Sequence, residues 1–283
     1  MASPTITPSE YQAFRILLEE ACGILLGEDK HYLVSSRLGR LMQEEGLATL
    51  GELVTRLSGI RGASLRTRVI DAMTTNETLW FRDTTPYDAL TLHILPQFAQ
   101  TPLGRPLRIW SAACSSGQEP YSISIAVQEY LLGKPGQLTW GVQIVGTDIS
   151  SAILKEANAG IYDSTSLARG LSPERRQRFF TPVDGKWQVK PELRTRVSFK
   201  ELNLKQSYAA LAKFDIIFCR NVLIYFSADL KRDILTRMAQ ALNPDGYLIL
   251  GSSEAISNLS SAFEMVHYAS GVVYRLKNST AGR

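Results

Sequence analysis

Two carboxylates stand where apolar runs end in the later part of the sequence: Glu119, shortly after LRIWSA, and Asp148, closing VQIVGT. Between the first run, which ends at Ala112, and Glu119 lies ACSSGQ; Ala112, Ala113, Ser115, Ser116 and Gly117 are small enough to let a ligand approach the main chain. The loop lacks G-x-G-x-x-G, so a pyrophosphate seated on a helix start is not the expected ligand. Glu119 would repel phosphate and favour a cation. Asp148 is placed to accept hydrogen bonds from a ribose diol, with capping of the next helix as the competing reading. Together they describe a site for a positively charged nucleotide without phosphates. Metal chemistry is not expected: His31, His93 and His267 are isolated, and Cys22, Cys114 and Cys219 form no C-x-x-C pair. The same spacing argues for reduced core cysteines rather than a disulfide framework.

These residues need a sheet to hold them. LRIWSA, VQIVGT and FDIIFC are short buried-type strands, each followed by a helical pattern (PYSISIAVQEYLLG, SSAILKEANAG, ADLKRDILTRMAQAL), the order of a parallel sheet with crossover helices. Ser227 caps the third helix, and Asn243, Pro244, Asp245 and Gly246 stop it before the strand GYLILG. FEMVHYAS and GVVYRLK follow too closely for a crossover and are expected to pair as an antiparallel hairpin around Ser270 and Gly271. Upstream, apolar residues recur at helical spacing from Ser9 to about Met73, and TTNETLWFRDTTPYDAL connects this region to the sheet. A turn at Asp184 and Gly185 marks a small β insertion. The domain reading is therefore a helical domain at 1–74, a connecting segment at 75–85 lining the ligand site, and a catalytic domain at 86–283 with a β subdomain at about 173–200.

Composition excludes little but does exclude some things. The chain has 283 residues, 45% hydrophobic and 20% charged, with a formal charge of +4. No apolar run approaches the roughly 18 residues of a spanning helix, and the N-terminus lacks the basic and apolar regions of a secretory signal, so a cytoplasmic location without membrane insertion is expected. From Lys155 to Lys213 there are twelve Lys/Arg against six Asp/Glu, which suits an acidic protein partner or nucleic acid.

The motifs TTNETLWFRD, IWSAACSSGQEPYS, GTDIS, NLKQ and FCRNVLIYF, in this order, resemble the CheR family of chemotaxis protein methyltransferases, over nearly the whole chain. The resemblance implies an α/β fold: a seven-stranded, Rossmann-like S-adenosylmethionine-dependent methyltransferase sheet, an N-terminal all-helical domain and a small inserted antiparallel β subdomain. It implies S-adenosylmethionine as donor and S-adenosylhomocysteine as product. Asn76, Thr78 and Arg82 are implied at the methionine part, Glu119 near the amino acid end, Asp148 at the ribose, and Asn203 and Leu204 at the adenine, with Ala113 also implied in cofactor binding. Asn221 and Val222 are implied beside the sulfonium, with Arg220 and Tyr225 completing the pocket and Arg82 and Tyr225 as catalytic candidates. For Arg220 and Tyr225 the competing readings are a surface ion pair and a core aromatic. The sequence departs from the family's usual pattern at Cys114, at Gln118, where a second Glu is common, and at Ser252, where many relatives carry His.

The implied reaction is methyl transfer to glutamate side chains of methyl-accepting chemotaxis receptors, giving glutamate 5-methyl esters in chemotactic adaptation. A glutamate, with a pKa of about 4.3, is already anionic at neutral pH, so orientation and desolvation replace a general base. The partner is the helical cytoplasmic domain of a receptor, met by a monomer. Arg37 and Arg40, with Arg56, Arg61, Arg66 and Arg68 following, are the expected docking residues, although this region carries eight basic against nine acidic residues up to Asp71. The short turn between Phe180 and Val189 predicts recognition without a receptor tether peptide. Two rivals are a methyltransferase acting on nucleic acid or a small molecule, with Trp187, Phe179 and Phe180 as stacking surfaces, and a noncatalytic adaptor.

Overall fold

The computed structural model describes residues 6–59, 62–101, 103–256 and 258–277. Four helices come first: α1 (Pro8–Cys22), α2 (His31–Glu44), α3 (Leu50–Ser58) and α4 (Ala63–Met73). Capping boxes start two of them, Thr7 with Glu10 on α1 and Thr49 with Glu52 on α3, each satisfying two amides that a helix start leaves unpaired. Tyr11, Phe14, Leu18 and Cys22 fall on one face of α1 and join Val34, Leu38, Leu53, Leu57 and Val69 in a core separate from that of the sheet. Each fully buried Leu or Phe there contributes about 1.5–3 kcal/mol.

Residues 75–84 carry no regular element. Two short helices, α5 (Thr85–Ala89) and α6 (Leu95–Gln100), joined by a π turn, lead into β1 (Leu107–Ala112) and α7 (Gln118–Gly133). Then come β2 (Val142–Asp148), α8 (Ser151–Ala159), β3 (Ile161–Tyr162), α9 (Ser164–Ala168), α10 (Pro173–Phe179), β4 (Phe180–Val183), β5 (Lys186–Val189), α11 (Pro191–Arg194) and β6 (Val197–Glu201). The chain closes with β7 (Phe214–Cys219), α12 (Ala228–Ala241), β8 (Leu242–Leu250), β9 (Phe263–Tyr268) and β10 (Gly271–Leu276). The large sheet has the order β6-β2-β1-β7-β8-β10-β9. Its first five strands are parallel, and β10 runs antiparallel to both of its neighbours. Both faces of β1 and β7 are covered, which is why these strands read as unbroken apolar runs.

Two details differ from the sequence reading. Val197–Glu201 belongs to the large sheet, paired in parallel with β2, whereas the small sheet has the order β3-β5-β4 and recruits Ile161–Tyr162 from before α9. As an edge strand, β6 has one open side and alternates, so it resembles its insertion neighbours. Asn243–Gly246 does not precede β8 but forms an irregularity within it. Asn243 Nδ2 donates to the buried Asp215 carboxylate at 2.8 Å, and Asp245 takes φ 59°. Arg105 clamps the same carboxylate at 2.6 and 2.8 Å. This cluster lies near the amino end of β7, away from the carboxyl ends that build the site. Among the described residues no helix is long and apolar enough to cross a membrane.

Candidate functional site

A cavity of about 280 Å³ opens where the carboxyl ends of β1, β2, β6 and β7 meet the helical domain and the connecting segment. Asn76, Thr78, Arg82, Ala113, Glu119, Asp148, Asn203, Leu204, Arg220, Asn221, Val222 and Tyr225 all line it, as does Arg37. Positive φ at Ala113, Ser115 and Gly117 (55°, 50° and 93°) folds the loop after β1 back towards β2. The Ser115 amide donates to Asp148 Oδ2 at 2.9 Å, and the Ser150 amide to Oδ1 at 3.0 Å. The helix cap is Ser150, whose hydroxyl accepts from Ile153 N, so capping is not what holds Asp148 there. Burial raises the Asp148 pKa above the ordinary carboxylate value, and backbone amides from Ser150 and Ser115 work in the opposite direction.

Glu119 is placed differently from what its charge suggested. Its carboxylate accepts from Ser111 Oγ at 2.7 Å and pairs with Arg220 at 2.9 Å. Arg220 also pairs with Asp83 at 3.0 Å and donates to the Arg82 carbonyl at 2.6 Å. The competing reading of Arg220 is a surface ion pair; the pair is there, but in the interior, tying the connecting segment to α7. The electrostatic pull on a cation rests on Asp148 more than on both acids equally. Arg82 has one long contact among the described residues, 3.5 Å to the Glu77 carbonyl, and so keeps donors facing the cavity. Tyr225 is half-buried in the single turn Leu223–Tyr225 beyond β7, not in a strand core.

The helical domain roofs the cavity through contacts invisible to motif reading. Asn203 Nδ2 donates to Ala21 O at 2.8 Å, and Lys205 Nζ donates to Glu19 O and Glu20 O at 2.9 and 2.6 Å, satisfying terminal carbonyls of α1. Leu25 N donates to Tyr225 O at 2.9 Å. The Asn203 amide thus reaches the roof while its residue also lines the cavity. Glu254 escaped notice too: its carboxylate binds the main chain after β7. The signal available was an acidic residue soon after the end of a strand, in GSSEAISN.

The proposed docking arginines separate. Arg37 donates to Met73 O at 2.6 Å and to Thr75 Oγ1 at 3.0 Å, so it braces the start of the connecting segment. Arg40 is 90% exposed on its side chain and pairs with Glu44. Arg56 and Arg68 join the same surface group through Glu44 and Glu45, Arg66 donates to Leu57 O, and Arg61 lies outside the described residues. Phe179 and Phe180 are buried in the sheet core, and Trp187 lies under Arg176, which removes the stacking platform a nucleic acid would need.

Two family models match. One, described as CheR methyltransferase, all-alpha domain, covers residues 9–74; the other, CheR methyltransferase, SAM binding domain, covers residues 76–272. The chain belongs to the CheR methyltransferase family. It is therefore an S-adenosylmethionine-dependent methyltransferase. The chain is similar to Chemotaxis protein methyltransferase 1 of Pseudomonas aeruginosa, 56% identical over 270 residues, covering 95% of this chain and 98% of that protein. It is 50% identical over 278 residues to Chemotaxis protein methyltransferase of Vibrio parahaemolyticus, covering 98% of this chain and all of that protein (100%). A more distant CheR relative, Chemotaxis protein methyltransferase of Salmonella typhimurium, is 36% identical over 254 residues, covering 88% of this chain and 84% of that one.

The cavity suits this family's cofactor on its own chemistry. It offers a buried carboxylate for hydroxyls, a guanidinium for a carboxylate, and small-residue backbone between them. None of these features is a phosphate cradle.

Proposed function

We propose that this chain methylates glutamate side chains on the helical cytoplasmic domain of methyl-accepting chemotaxis receptors, forming glutamate 5-methyl esters and S-adenosylhomocysteine. The observation that carries this reading is Arg82, a guanidinium on the cavity wall with donors available for a carboxylate. Bound in the cavity, the cofactor supplies an electrophilic methyl group on a sulfonium. The part of Arg82 and Tyr225 would be to hold an ionised glutamate oxygen in line with that methyl group, so that the C–O bond would form as the C–S bond breaks and its electron pair stays on sulfur. No proton moves, so no residue has to act as a base. The lining thiols agree with this: burial pushes Cys22 up to about 11 and Cys114 well above the ordinary thiol value.

In this reading Asp148 takes the ribose, Asn203 and Leu204 flank the adenine, and Asn76, Thr78 and Arg82 hold the amino acid end. Asn221, Val222 and Tyr225 form the wall beside the methyl group. Arg82, whose five N–H donors can serve the cofactor's carboxylate and the acceptor's together, and Tyr225 orient the acceptor, so that rate enhancement comes through alignment and exclusion of water. The exposed group of Arg40, Arg56 and Arg68 faces the receptor, while Arg37 braces the segment at residues 73–75. The domain division is a roof at residues 1–74, a strap at 75–85 and a catalytic body beyond.

Tritiated methyl transfer to receptor-containing membranes tests the reaction. Counts released by mild base are expected; counts that resist base would exclude a carboxyl ester. A second expectation concerns pH. Since burial raises the Asp148 pKa, protonation removes its acceptor charge as pH falls from neutral towards the acid range. S-adenosylhomocysteine affinity, measured by calorimetry, should fall along the same course. Asp148→Asn should bind about tenfold or more weakly at neutral pH, through loss of a charge-assisted hydrogen bond, and should flatten the pH profile. An Asp148→Asn profile parallel to that of the wild type would remove Asp148 from the ribose.

A further inference from the structure

Glu254 does not line the cavity, yet its carboxylate gathers the main chain of a loop that does. Oε2 accepts from the amides of Asn221 at 2.7 Å and Gly251 at 2.9 Å. Oε1 accepts from Val222 at 3.0 Å and Leu223 at 2.8 Å. The loop needs such an acceptor. Asn221 sits at φ 58°, and the turn Leu223–Tyr225 is a single 3-10 turn, too short to satisfy its own leading amides. Charge-assisted bonds to one carboxylate fix that stretch where neutral acceptors would hold it loosely.

The same stretch begins at Arg220, paired with Glu119 and Asp83, and ends at Tyr225, whose carbonyl accepts from Leu25 of the roof. Its two ends are anchored by other partners, and Glu254 sets the backbone between them. Glycine at 251 lets the carboxylate and the loop come this close: a methyl group there would lie 2.8 Å from Glu254 Oε2, 2.9 Å from Asn221 Nδ2 and 3.0 Å from Asn221 N.

We infer that Glu254 is a positioning residue for methyl transfer, holding Asn221–Tyr225 at the height the reacting atoms require and acting on turnover in preference to cofactor binding. This rests on the placing of Asn221, Val222 and Tyr225 beside the methyl group in the reading above. The adenosine end is held by other loops, so the two effects separate.

Glu254→Gln is the variant of choice because it keeps shape while turning half of the acceptor into a donor, which then faces backbone N–H groups. At saturating S-adenosylmethionine, kcat is expected to fall about 10- to 100-fold, the scale on which small misplacements act. The Kd for S-adenosylhomocysteine should stay within about threefold, because the adenosine contacts are untouched. Hydrogen exchange at the amides of residues 221–223 should quicken about tenfold or more, with the helical domain unchanged. Fast exchange in the loop with an unaltered kcat would overturn the inference. So would parallel losses of kcat, affinity and protection across the whole sheet, which mark a residue that only stabilises. If Glu254→Gln does not fold, Glu254→Asp keeps the charge but draws it back by one methylene from the amides of Asn221, Val222 and Leu223, and is read on the same three scales, with the same outcomes deciding. Failure of the wild type to label receptors would instead contradict the acceptor assignment, leaving the exchange and affinity results readable.

Discussion

Arg220→Met is expected to lower the free energy of unfolding by about 3–5 kcal/mol, the range measured when one partner of a buried ion pair is removed, and to abolish measurable S-adenosylhomocysteine binding. The side chain of Arg220 is 1% exposed, and that of its partner Glu119 is 13% exposed. Burial works most strongly against the guanidinium charge, but Glu119, Tyr87 and Asp83 together outweigh that penalty and hold the Arg220 pKa above its usual value. Methionine fills the volume but leaves the Glu119 carboxylate desolvated without its counter-charge. Asp83 adds less, because its side chain is 37% exposed and water screens the pair. The Arg82 carbonyl also loses its donor at 2.6 Å, which frees the strap that carries Arg82 into the cavity. Combining Arg220→Met with Glu119→Gln should recover most of the stability, since replacing both members of a buried pair is often close to neutral, while cofactor binding stays impaired because the strap is still untied. Urea unfolding and calorimetry on the single and double variants separate the two effects. A single variant within about 1 kcal/mol of the wild type, the cost of an ordinary exposed pair, would show that Arg220 is not the buried keystone of this junction.

The elements that build the floor of the site were legible because they are buried on both faces. Leu107–Ala112 and Phe214–Cys219 could be read as strands from composition and length, with their helices marked by caps such as Ser227. Val197–Glu201 was grouped with the wrong sheet because an edge strand lacks that signature. Within the site, the positions of Glu119 in the first turn of α7 and of Asp148 at the end of β2 followed from where each strand stops. Their electrostatic state did not, since the partner that neutralises Glu119 lies 101 positions away. The same limit hid the contact of Asn203 with Ala21, 182 positions apart, and the grip of Glu254 on the loop after β7. Helical spacing could place Arg37 and Arg40 on one helix, but only the packed structure shows that one braces the strap at Met73 and the other stays on the surface. Sequence pattern reports what a residue's own element needs; these contacts are set by what other elements bring to it.

Gly170→Ala should be nearly as damaging, although Gly170 touches no proposed ligand. Gly170 has φ +100°, and a methyl group there would sit 2.0 Å from the carbonyl oxygen of Trp80 and 3.3 Å from the Leu79 side chain. Trp80 cannot yield easily. It is fully buried, packs edge-on against Tyr162 and Phe180, and donates its amide to Arg169 O at 3.0 Å. The strain of the backbone conformation, about 1–3 kcal/mol, therefore adds to an overpacking cost of about 1–3 kcal/mol. What gives way is the strap, and Asn76, Thr78 and Arg82 move with it. S-adenosylhomocysteine affinity should fall by about tenfold or more, as expected when an orienting wall shifts by an ångström. Gly185→Ala is the matched comparison: φ is +74° and nothing lies within 4 Å of the added methyl group. It should lose only about 1–2 kcal/mol and leave affinity unchanged. Thermal unfolding and calorimetry on the pair distinguish backbone strain, which both share, from displacement of the strap, which only Gly170→Ala produces. Equal behaviour of the two variants would mean that the position of the strap does not control the cavity.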